Sequence, residues 1–393
     1  MTPNFTVAIL FALLALFHGC TCHEQNSEKA LKSYSTIGFK TGELSYSSLR
    51  SRLNHLGVTV DQSTLSPIPD YAYASRWINL ALGTPSQGFK LLLDSLSAEF
   101  WVPSRKCKSS ACSKHKTYDS TASTSYKPDG SNASVEYVKG SIKGIISRDV
   151  VNILARSPKV PFIEVTELSD DTFTDAVFDG MLGMNLNALS ETSKNPIALY
   201  IRSSRAPMII SLRNYRNQTK NPGGEIALGG YLPDVSYVGP ITYAPLTHKV
   251  YWQFKLDDVA VAGSNALAGT CTQGCQAIAD TGSSLIYGPA EAVQKLNKAI
   301  GATKTRDGAW LLRSCDEDQL PNVVFTVAGN PLPMSATTYV IEEKEGDKKS
   351  CYSSFVEVTG SDSRWILGGK FAGEEYLTVF DARSRRVGFA LNK

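Results

Sequence analysis

Two acidic residues lie inside apolar runs, and the sequence around them is duplicated. Asp94 follows Leu91–Leu93, and Asp280 follows Ala277–Ala279. In both copies a hydroxyl residue, one further residue and a serine come after the acid, before another apolar run. A buried carboxylate without partners is costly, so each acid needs local hydrogen-bond donors or a second acid that shares its proton. The duplicated motif offers both.

The duplication extends beyond the two acids. The segment Phe178–Gly183 ends in Met-Leu-Gly 89 residues after Asp94, and Trp365–Gly368 ends in Ile-Leu-Gly 88 residues after Asp280. Motifs repeated at nearly the same spacing indicate two related halves. With 393 residues, the chain is long enough to bury two substantial cores.

The rest of the sequence is typical of strands. From Tyr71 onward, short runs rich in Val, Ile, Leu, Tyr and Thr alternate with clusters of Gly, Pro, Asn and Ser. This pattern predicts many antiparallel strands. Two stretches predict helices instead, Asn185–Ser203 and Ala290–Ile300. We therefore predict an all-β fold, mainly strands with a few short helices that serve for packing.

The duplicated motif resembles that of the pepsin-like aspartic proteases, family A1, and its wording is nearest to the cathepsin D branch. The resemblance runs from about Tyr73 to the C-terminus and includes further segments in the family order. These segments are Gly83–Gln87, Phe100–Ser104, Tyr137 with Gly140 and Ser141, Phe178–Gly180, Tyr251–Gln253, Thr378–Asp381 and Val387–Ala390. The resemblance implies a bilobal fold, with two pseudo-symmetric β-barrel-like lobes and an active-site cleft between them.

The resemblance also assigns roles within the duplicated motif. Asp94 and Asp280 would be the catalytic pair, in which a carboxylate activates a water molecule while the protonated partner polarises the peptide carbonyl. The supporting residues, which would hydrogen-bond the carboxylates or cross-link the two loops, are Ser95, Ser97, Thr281, Gly282 and Ser283. Ser97 and Ser283 would bond the carboxylates, whereas Ser95 and Thr281 would link the loops.

A second set of residues resembles the hairpin flap that closes over the substrate in this family. Tyr137 matches the flap tyrosine, Trp101 matches its hydrogen-bonding partner, and Gly140 and Ser141 complete the substrate-binding set. Closure of such a flap excludes water from the site. The resemblance thus implies an aspartic endopeptidase that cuts extended polypeptides between bulky apolar residues. It also implies inhibition by pepstatin-like compounds and no cofactor or metal ion.

Two places depart from the family pattern. The family has glycine where Leu96 stands, and Val138 and Lys139 replace a glycine and a small residue after the flap tyrosine. Glycine serves where φ is positive or where backbones approach closely, so Leu96 would strain the loop if φ were positive there. Two functions follow. An active endopeptidase is favoured because both acids and all the hydroxyl residues are present; the alternative is a catalytically impaired homologue that binds peptides or inhibitors.

The first part of the chain predicts an exported zymogen. The apolar stretch Phe5–Phe17 has thirteen residues, too few to cross a bilayer but suited to the core of a secretory signal. We expect a signal peptide over residues 1–22, a pro-segment over 23–68, an N-terminal lobe over 69–245 and a C-terminal lobe over 246–393. In the family the pro-segment covers the cleft until acid releases it. We expect the mature protein to be secreted or lysosomal.

The cysteines and two asparagines agree with export. After a secretory signal, eight cysteines predict an oxidising compartment. The sequence alone allows many pairings of six of them, and the family pattern selects three. The implied disulfides are Cys107–Cys112, Cys271–Cys275 and Cys315–Cys351. Asn132 and Asn217 begin N-glycosylation sequons.

Composition argues against other functions. The 40 basic and 37 acidic residues nearly balance, and no long basic run occurs, which argues against nucleic-acid binding. None of the five histidines forms a His-Glu-x-x-His zinc pattern, and no Gly-x-Ser-x-Gly elbow is present. We expect a monomer without a membrane span, whose partners are polypeptide substrates and its own pro-segment.

Overall fold

The computed structural model describes most of the chain after residue 73 and one earlier segment. The described residues are 35–43, 74–136, 141–169, 173–174, 176–189, 193–215, 223–267, 270–271, 274–306, 308–345, 348–358 and 364–393. The predicted signal peptide, most of the predicted pro-segment and the flap residues 137–140 lie outside the described residues.

Within the described residues, strands dominate and helices are few and short, which confirms the predicted all-β class. The strands of the first half are β1 (Ser35–Glu43), β2 (Ala74–Leu82), β3 (Gln87–Asp94), β4 (Phe100–Pro103), β5 (Lys127–Glu136), β6 (Ser141–Asn152), β7 (Lys159–Leu168), β8 (Gly180–Gly183), β9 (Ile209–Asn214), β10 (Gly224–Leu228) and β11 (Tyr237–Pro245).

The second half contributes shorter strands. They are β12 (Gln253–Leu256), β13 (Asp258–Val261), β14 (Cys275–Ala279), β15 (Ile286–Pro289), β16 (Ala302–Lys304), β17 (Trp310–Leu312), β18 (Val323–Val327), β19 (Asn330–Met334), β20 (Val340–Glu345), β21 (Lys348–Ser353), β22 (Phe355–Val358), β23 (Trp365–Leu367), β24 (Tyr376–Asp381) and β25 (Arg386–Asn392). The α-helices are α1 (Pro196–Ser203), α2 (Ala290–Ala299) and α3 (Ala336–Tyr339).

The strands form one large and three smaller sheets. The large sheet has 13 strands in the order β11-β25-β24-β9-β10-β1-β2-β3-β8-β4-β7-β6-β5. A 5-stranded sheet follows the order β12-β14-β23-β15-β22. The 3-stranded sheet β13-β18-β19 and the 4-stranded sheet β16-β17-β21-β20 complete the second half. The two C-terminal strands lie in the large sheet beside β9 and β11, so strands from both halves meet there.

The sequence duplication corresponds to a repeated strand arrangement. In the first half β3 pairs in parallel with β8, and β8 pairs antiparallel with β4, which pairs in parallel with β7. In the second half β14, β23, β15 and β22 pair with the same alternation of directions. Asp94 is the last residue of β3, and Asp280 follows the last residue of β14. Each acid therefore lies at the same position of its repeat.

The glycine that ends each trailing motif permits a close backbone approach. A Cβ atom added to Gly183 would lie 2.4 Å from the carbonyl oxygen of Ser97, and one added to Gly368 would lie 2.1 Å from that of Leu285. Both distances are far below van der Waals contact, so neither position accommodates a side chain. This contact explains why both apolar-Leu motifs end in glycine.

One predicted helix is confirmed and the other was wrong in its first half. Helix α2 spans Ala290–Ala299 and buries Val293 and Leu296, as predicted. The helix predicted over Asn185–Ser203 begins only at Pro196. The Asn195 side chain accepts a hydrogen bond from the Ile197 amide, and proline suits the first helical position, so these residues fix the start. Residues 186–189 instead form a turn.

Strand β1 lies within the predicted pro-segment and is part of the large sheet. Residues 35–39 pair with β10, and residues 40–43 pair with β2. Strand β1 therefore lies between β10 and β2 in the sheet and hydrogen-bonds to both.

The disulfide pairing implied by the family pattern is confirmed. Sulfur atoms are bonded between Cys107 and Cys112, between Cys271 and Cys275, and between Cys315 and Cys351. The first two close short loops, and the third joins residues 36 positions apart.

Candidate active site

The carboxylate of Asp94 is held by its own loop. The Leu96 amide donates a hydrogen bond to Oδ1 at 2.7 Å, and the Ser97 hydroxyl donates one to Oδ2 at 2.7 Å. Only 3% of Asp94 is exposed. Because burial disfavours a charged group without partners, these two donors stabilise the buried carboxylate and fix its orientation.

The carboxylate of Asp280 is held in the same way. The Gly282 amide donates to Oδ1 at 2.8 Å, and the Ser283 hydroxyl donates to Oδ2 at 2.6 Å. Asp280 is also buried. The hydrogen bonds of the two acids thus match atom for atom, although one loop has leucine where the other has glycine.

Ser95 and Thr281 join the two acidic loops through a network of four hydrogen bonds. The Ser95 amide donates to the Thr281 hydroxyl at 3.0 Å, and the Thr281 amide donates to the Ser95 hydroxyl at 2.9 Å. Each hydroxyl then donates to a carbonyl of the other half: Thr281 to Leu93 at 3.0 Å, and Ser95 to Ala279 at 3.1 Å. All the polar atoms in this network are paired, so it fixes the two loops against each other.

Leu96 occupies its loop without a positive φ. The non-glycine residues with positive φ in the described part of the chain are Leu154, Arg205, Ala328 and Arg385. The backbone strain that leucine would cause in a left-handed conformation is therefore absent. The Leu96 side chain is buried in an apolar cluster that includes Trp101 and Met181. The loop thus retains the amide that bonds Asp94 and buries an added apolar side chain.

The sequence did not predict the role of a buried arginine, Arg76, which contacts one of the linked loops. The guanidinium of Arg76 donates to the Thr281 carbonyl at 2.8 Å and to the Asn214 side chain at 2.8 Å. Arg76 is 1% exposed and lies against Gly369, where an added Cβ would lie 1.8 Å from the guanidinium. The available signal was a charged residue within strand β2, directly before the apolar pair Trp77 and Ile78.

A second missed residue is Asn185, next to the Asp94 loop. Its side-chain amide donates to the Leu96 carbonyl at 3.2 Å, and its backbone amide donates to the Ser97 carbonyl at 3.0 Å. The sequence placed Asn185 at the start of a packing helix, so its contact with a loop 89 residues earlier had no signal.

The structure describes only part of the predicted flap. Tyr137 and Gly140 lie outside the described residues. Ser141 begins β6 opposite Glu136, and its amide donates to the Ser169 hydroxyl at 3.0 Å. Trp101, the expected partner of the flap tyrosine, is fully buried, with its ring edge against Phe173 at a centroid distance of 5.4 Å.

The described residues include one of the two predicted glycosylation sites. Asn132 is exposed on strand β5, whereas Asn217 lies outside the described residues. In the part of the chain that the structure covers, no group of three or more His, Cys, Asp or Glu residues is placed to hold a metal ion. No helix in that part is long and apolar enough to cross a membrane.

Comparison with known proteins agrees with this geometry. Residues 75–392 match the family model described as eukaryotic aspartyl protease. Cathepsin D of Dictyostelium discoideum is 35% identical, with 84% of this chain and 87% of that protein covered. Human cathepsin D is 34% identical, with 83% and 84% covered, and porcine pepsin A is 32% identical, with 82% and 83% covered. The match includes both acidic loops.

Proposed function

The chain belongs to the eukaryotic aspartyl protease family, and we propose that it is an active endopeptidase that hydrolyses polypeptides with Asp94 and Asp280. The observation that carries the proposal is the matched set of hydrogen bonds around the two carboxylates. Leu96 supplies the same amide donor as Gly282, and Ser97 supplies the same hydroxyl as Ser283.

The proposed reaction uses two carboxyl groups that share one proton. The ionised carboxylate accepts a proton from a water molecule while the water oxygen bonds to the peptide carbonyl carbon. The protonated carboxyl group donates to the carbonyl oxygen, which stabilises the charge that develops there. As the C–N bond breaks, the carboxyl group that accepted the water proton donates it to the nitrogen, and the hydroxyl formed from the carbonyl oxygen returns its proton to the other carboxylate. No covalent bond to the enzyme forms, and the reaction consumes one water molecule.

The loops contribute by holding both carboxylates rigidly. The two acids come from different halves of the chain, so their relative position depends on the Ser95–Thr281 network. A displacement of about 1 Å can cost on the order of 100-fold in rate. Arg76 stabilises the network by donating a hydrogen bond to the Thr281 carbonyl.

The alternative proposed from Leu96 is a homologue that binds peptides or inhibitors without cleaving them. One assay separates the two functions: the purified, acid-treated protein is incubated with denatured haemoglobin between pH 3 and 6, with and without pepstatin. Cleavage that pepstatin and the substitution Asp280→Asn both abolish supports the endopeptidase. Binding of pepstatin without cleavage supports the alternative.

We also propose the zymogen organisation expected from the sequence. It has a signal peptide over residues 1–22, a pro-segment over 23–68 and lobes over 69–245 and 246–393. The place of β1 in the large sheet supports a pro-segment that folds with the rest of the protein. N-terminal sequencing before and after acid treatment tests these boundaries, since the proposal expects a new N-terminus near residue 69.

The remaining proposals concern the environment of the protein. We place it in the secretory pathway, secreted or lysosomal, as a monomer with glycans on Asn132 and Asn217. The exposure of Asn132 and the three disulfides support export. A mass decrease after glycosidase treatment that becomes smaller in the Asn132→Gln variant, by the mass of one glycan, tests the first site.

A further inference from the structure

The Asp94 loop has a second support outside its own sequence, on the turn that follows β8. Asn185 is 4% exposed, and its side-chain amide donates to the Leu96 carbonyl at 3.2 Å. Its side-chain oxygen accepts from the Ala188 amide at 3.0 Å, which fixes the orientation of the side chain. The Asn185 backbone amide donates to the Ser97 carbonyl at 3.0 Å.

These contacts hold two consecutive peptide groups of the Asp94 loop. The Leu96 and Ser97 carbonyls belong to the peptide groups that follow the two residues bonded to the Asp94 carboxylate. Both peptide groups flank Ser97, so rotation of either would turn Ser97 and move its hydroxyl away from that carboxylate. The loop has no glycine at its third position, yet one neighbouring residue holds its backbone, through a side-chain bond to Leu96 and a backbone bond to Ser97.

Asn195 provides a close comparison within the same region. It is also buried, its side-chain amide donates to the Gly183 carbonyl at 2.9 Å, and its side-chain oxygen accepts from the Ile197 amide at 2.9 Å. The two asparagines therefore make the same kinds of bonds. Of the two, only Asn185 has a side chain that hydrogen-bonds the loop of Leu96 and Ser97.

We propose that Asn185 is a positioning residue for catalysis. It holds the peptide group between Leu96 and Ser97, so that the Ser97 hydroxyl keeps the Asp94 carboxylate in its orientation. This inference rests on the proposed endopeptidase function. It goes beyond that function because it assigns a role to a residue outside the duplicated motif.

The test compares Asn185→Ala with Asn195→Ala. Both variants are produced as the full chain and then activated with acid. Cleavage of a peptide substrate gives kcat and KM, thermal unfolding gives Tm, and titration gives the pepstatin Kd. We expect Asn185→Ala to lower kcat about tenfold or more while KM changes less than about twofold, because misplacement of a carboxylate acts on the transition state. Asn195→Ala should lower Tm similarly and change kcat less than about threefold.

A second variant covers the case in which Asn185→Ala does not fold. Asn185→Leu has nearly the same shape and leaves no cavity, but it lacks the donor for the Leu96 carbonyl. We expect the same loss of kcat. An unchanged kcat in either folded Asn185 variant, or an equal loss in Asn195→Ala, would overturn the inference.

The pepstatin titration separates failure of this inference from failure of the proposed function. If the wild-type protein binds pepstatin without cleaving substrate, the endopeptidase proposal fails. The positioning role is then measured by Kd, which Asn185→Ala should weaken about tenfold and Asn195→Ala should leave unchanged. If the wild-type protein neither cleaves substrate nor binds pepstatin, both proposals are wrong.

Discussion

Ser95 and Thr281, 186 residues apart, hydrogen-bond each other in both directions, so that each backbone amide bonds the hydroxyl of the other residue. This reciprocal pair is where the two repeats of the chain meet. It places the acid before Ser95 and the acid before Thr281 at equivalent positions in one buried network. The geometry explains why the motif requires a hydroxyl residue directly after each acid.

Removal of the Thr281 hydroxyl should break this network. Thr281→Val keeps the shape but leaves the Ser95 amide without its acceptor and the Leu93 carbonyl without its donor. A buried polar group that loses its partner costs about 1–3 kcal/mol, so we expect a loss of about 2–4 kcal/mol in urea unfolding. Cleavage should fall at least tenfold. Thr281→Ser retains the hydroxyl and is the control; equal losses in both variants would contradict the account.

Arg76 should stabilise the contact between the halves. Arg76→Met preserves much of the side-chain volume but removes the donors to Thr281 and Asn214. We expect about 3 kcal/mol of destabilisation, because hydrogen bonds from a charged group are the stronger kind. The matched control is Arg148→Met, which removes a partly exposed ion pair with Asp129 and should have little effect. Urea midpoints of the two variants decide the matter, and a smaller shift for Arg76→Met would be incompatible with this role.

The close approach at Gly183 should make any side chain harmful. An added Cβ would lie 2.4 Å from the Ser97 carbonyl oxygen and 2.6 Å from the Ala98 carbonyl carbon, and backbone atoms have little room for adjustment. We expect Gly183→Ala to cost about 3 kcal/mol or more, at the upper end of overpacking effects, and to abolish cleavage. Gly88→Ala is the control, since nothing lies within 4 Å of its added Cβ. A fully active Gly183→Ala variant would refute the predicted clash.

The sequence predicted the repeated architecture but not all the contacts that support the site. The acids and hydroxyl residues could be predicted because they lie in short repeated motifs. The pairing of the cysteines could be predicted because the family pattern implies it. The roles of Arg76 and Asn185 could not be predicted, since they act on residues 205 and 89 positions away. The strain predicted for Leu96 depended on a backbone angle that the sequence does not specify. The predicted start of the first helix, Asn185, was wrong because apolar spacing does not reveal the start that Asn195 and Pro196 impose.

Stability in acid should depend on Asp149. Burial favours the neutral acid, but hydrogen bonds from Ser123, Ser125 and Tyr118 outweigh it and lower the pKa of Asp149. A lowered pKa means that the ionised form stabilises the fold above the unfolded pKa of about 4, and this contribution disappears as pH falls through the folded pKa. We expect Asp149→Asn to lose about 2 kcal/mol at pH 6 and less at a pH below the unfolded pKa. Urea unfolding at both values measures this, and a loss that grows on acidification would show the opposite linkage.

The Leu96 loop should be competent for catalysis. This is measured by kcat/KM of the acid-activated wild-type protein beside Leu96→Gly, with active sites counted by pepstatin titration. Because Leu96 keeps its amide bond to Asp94 without a positive φ, we predict pepstatin-sensitive cleavage by both, within about tenfold of each other, which is about 1.4 kcal/mol. An inactive wild-type protein beside an active Leu96→Gly variant would contradict the claim and identify leucine at this position as the change that disables the enzyme.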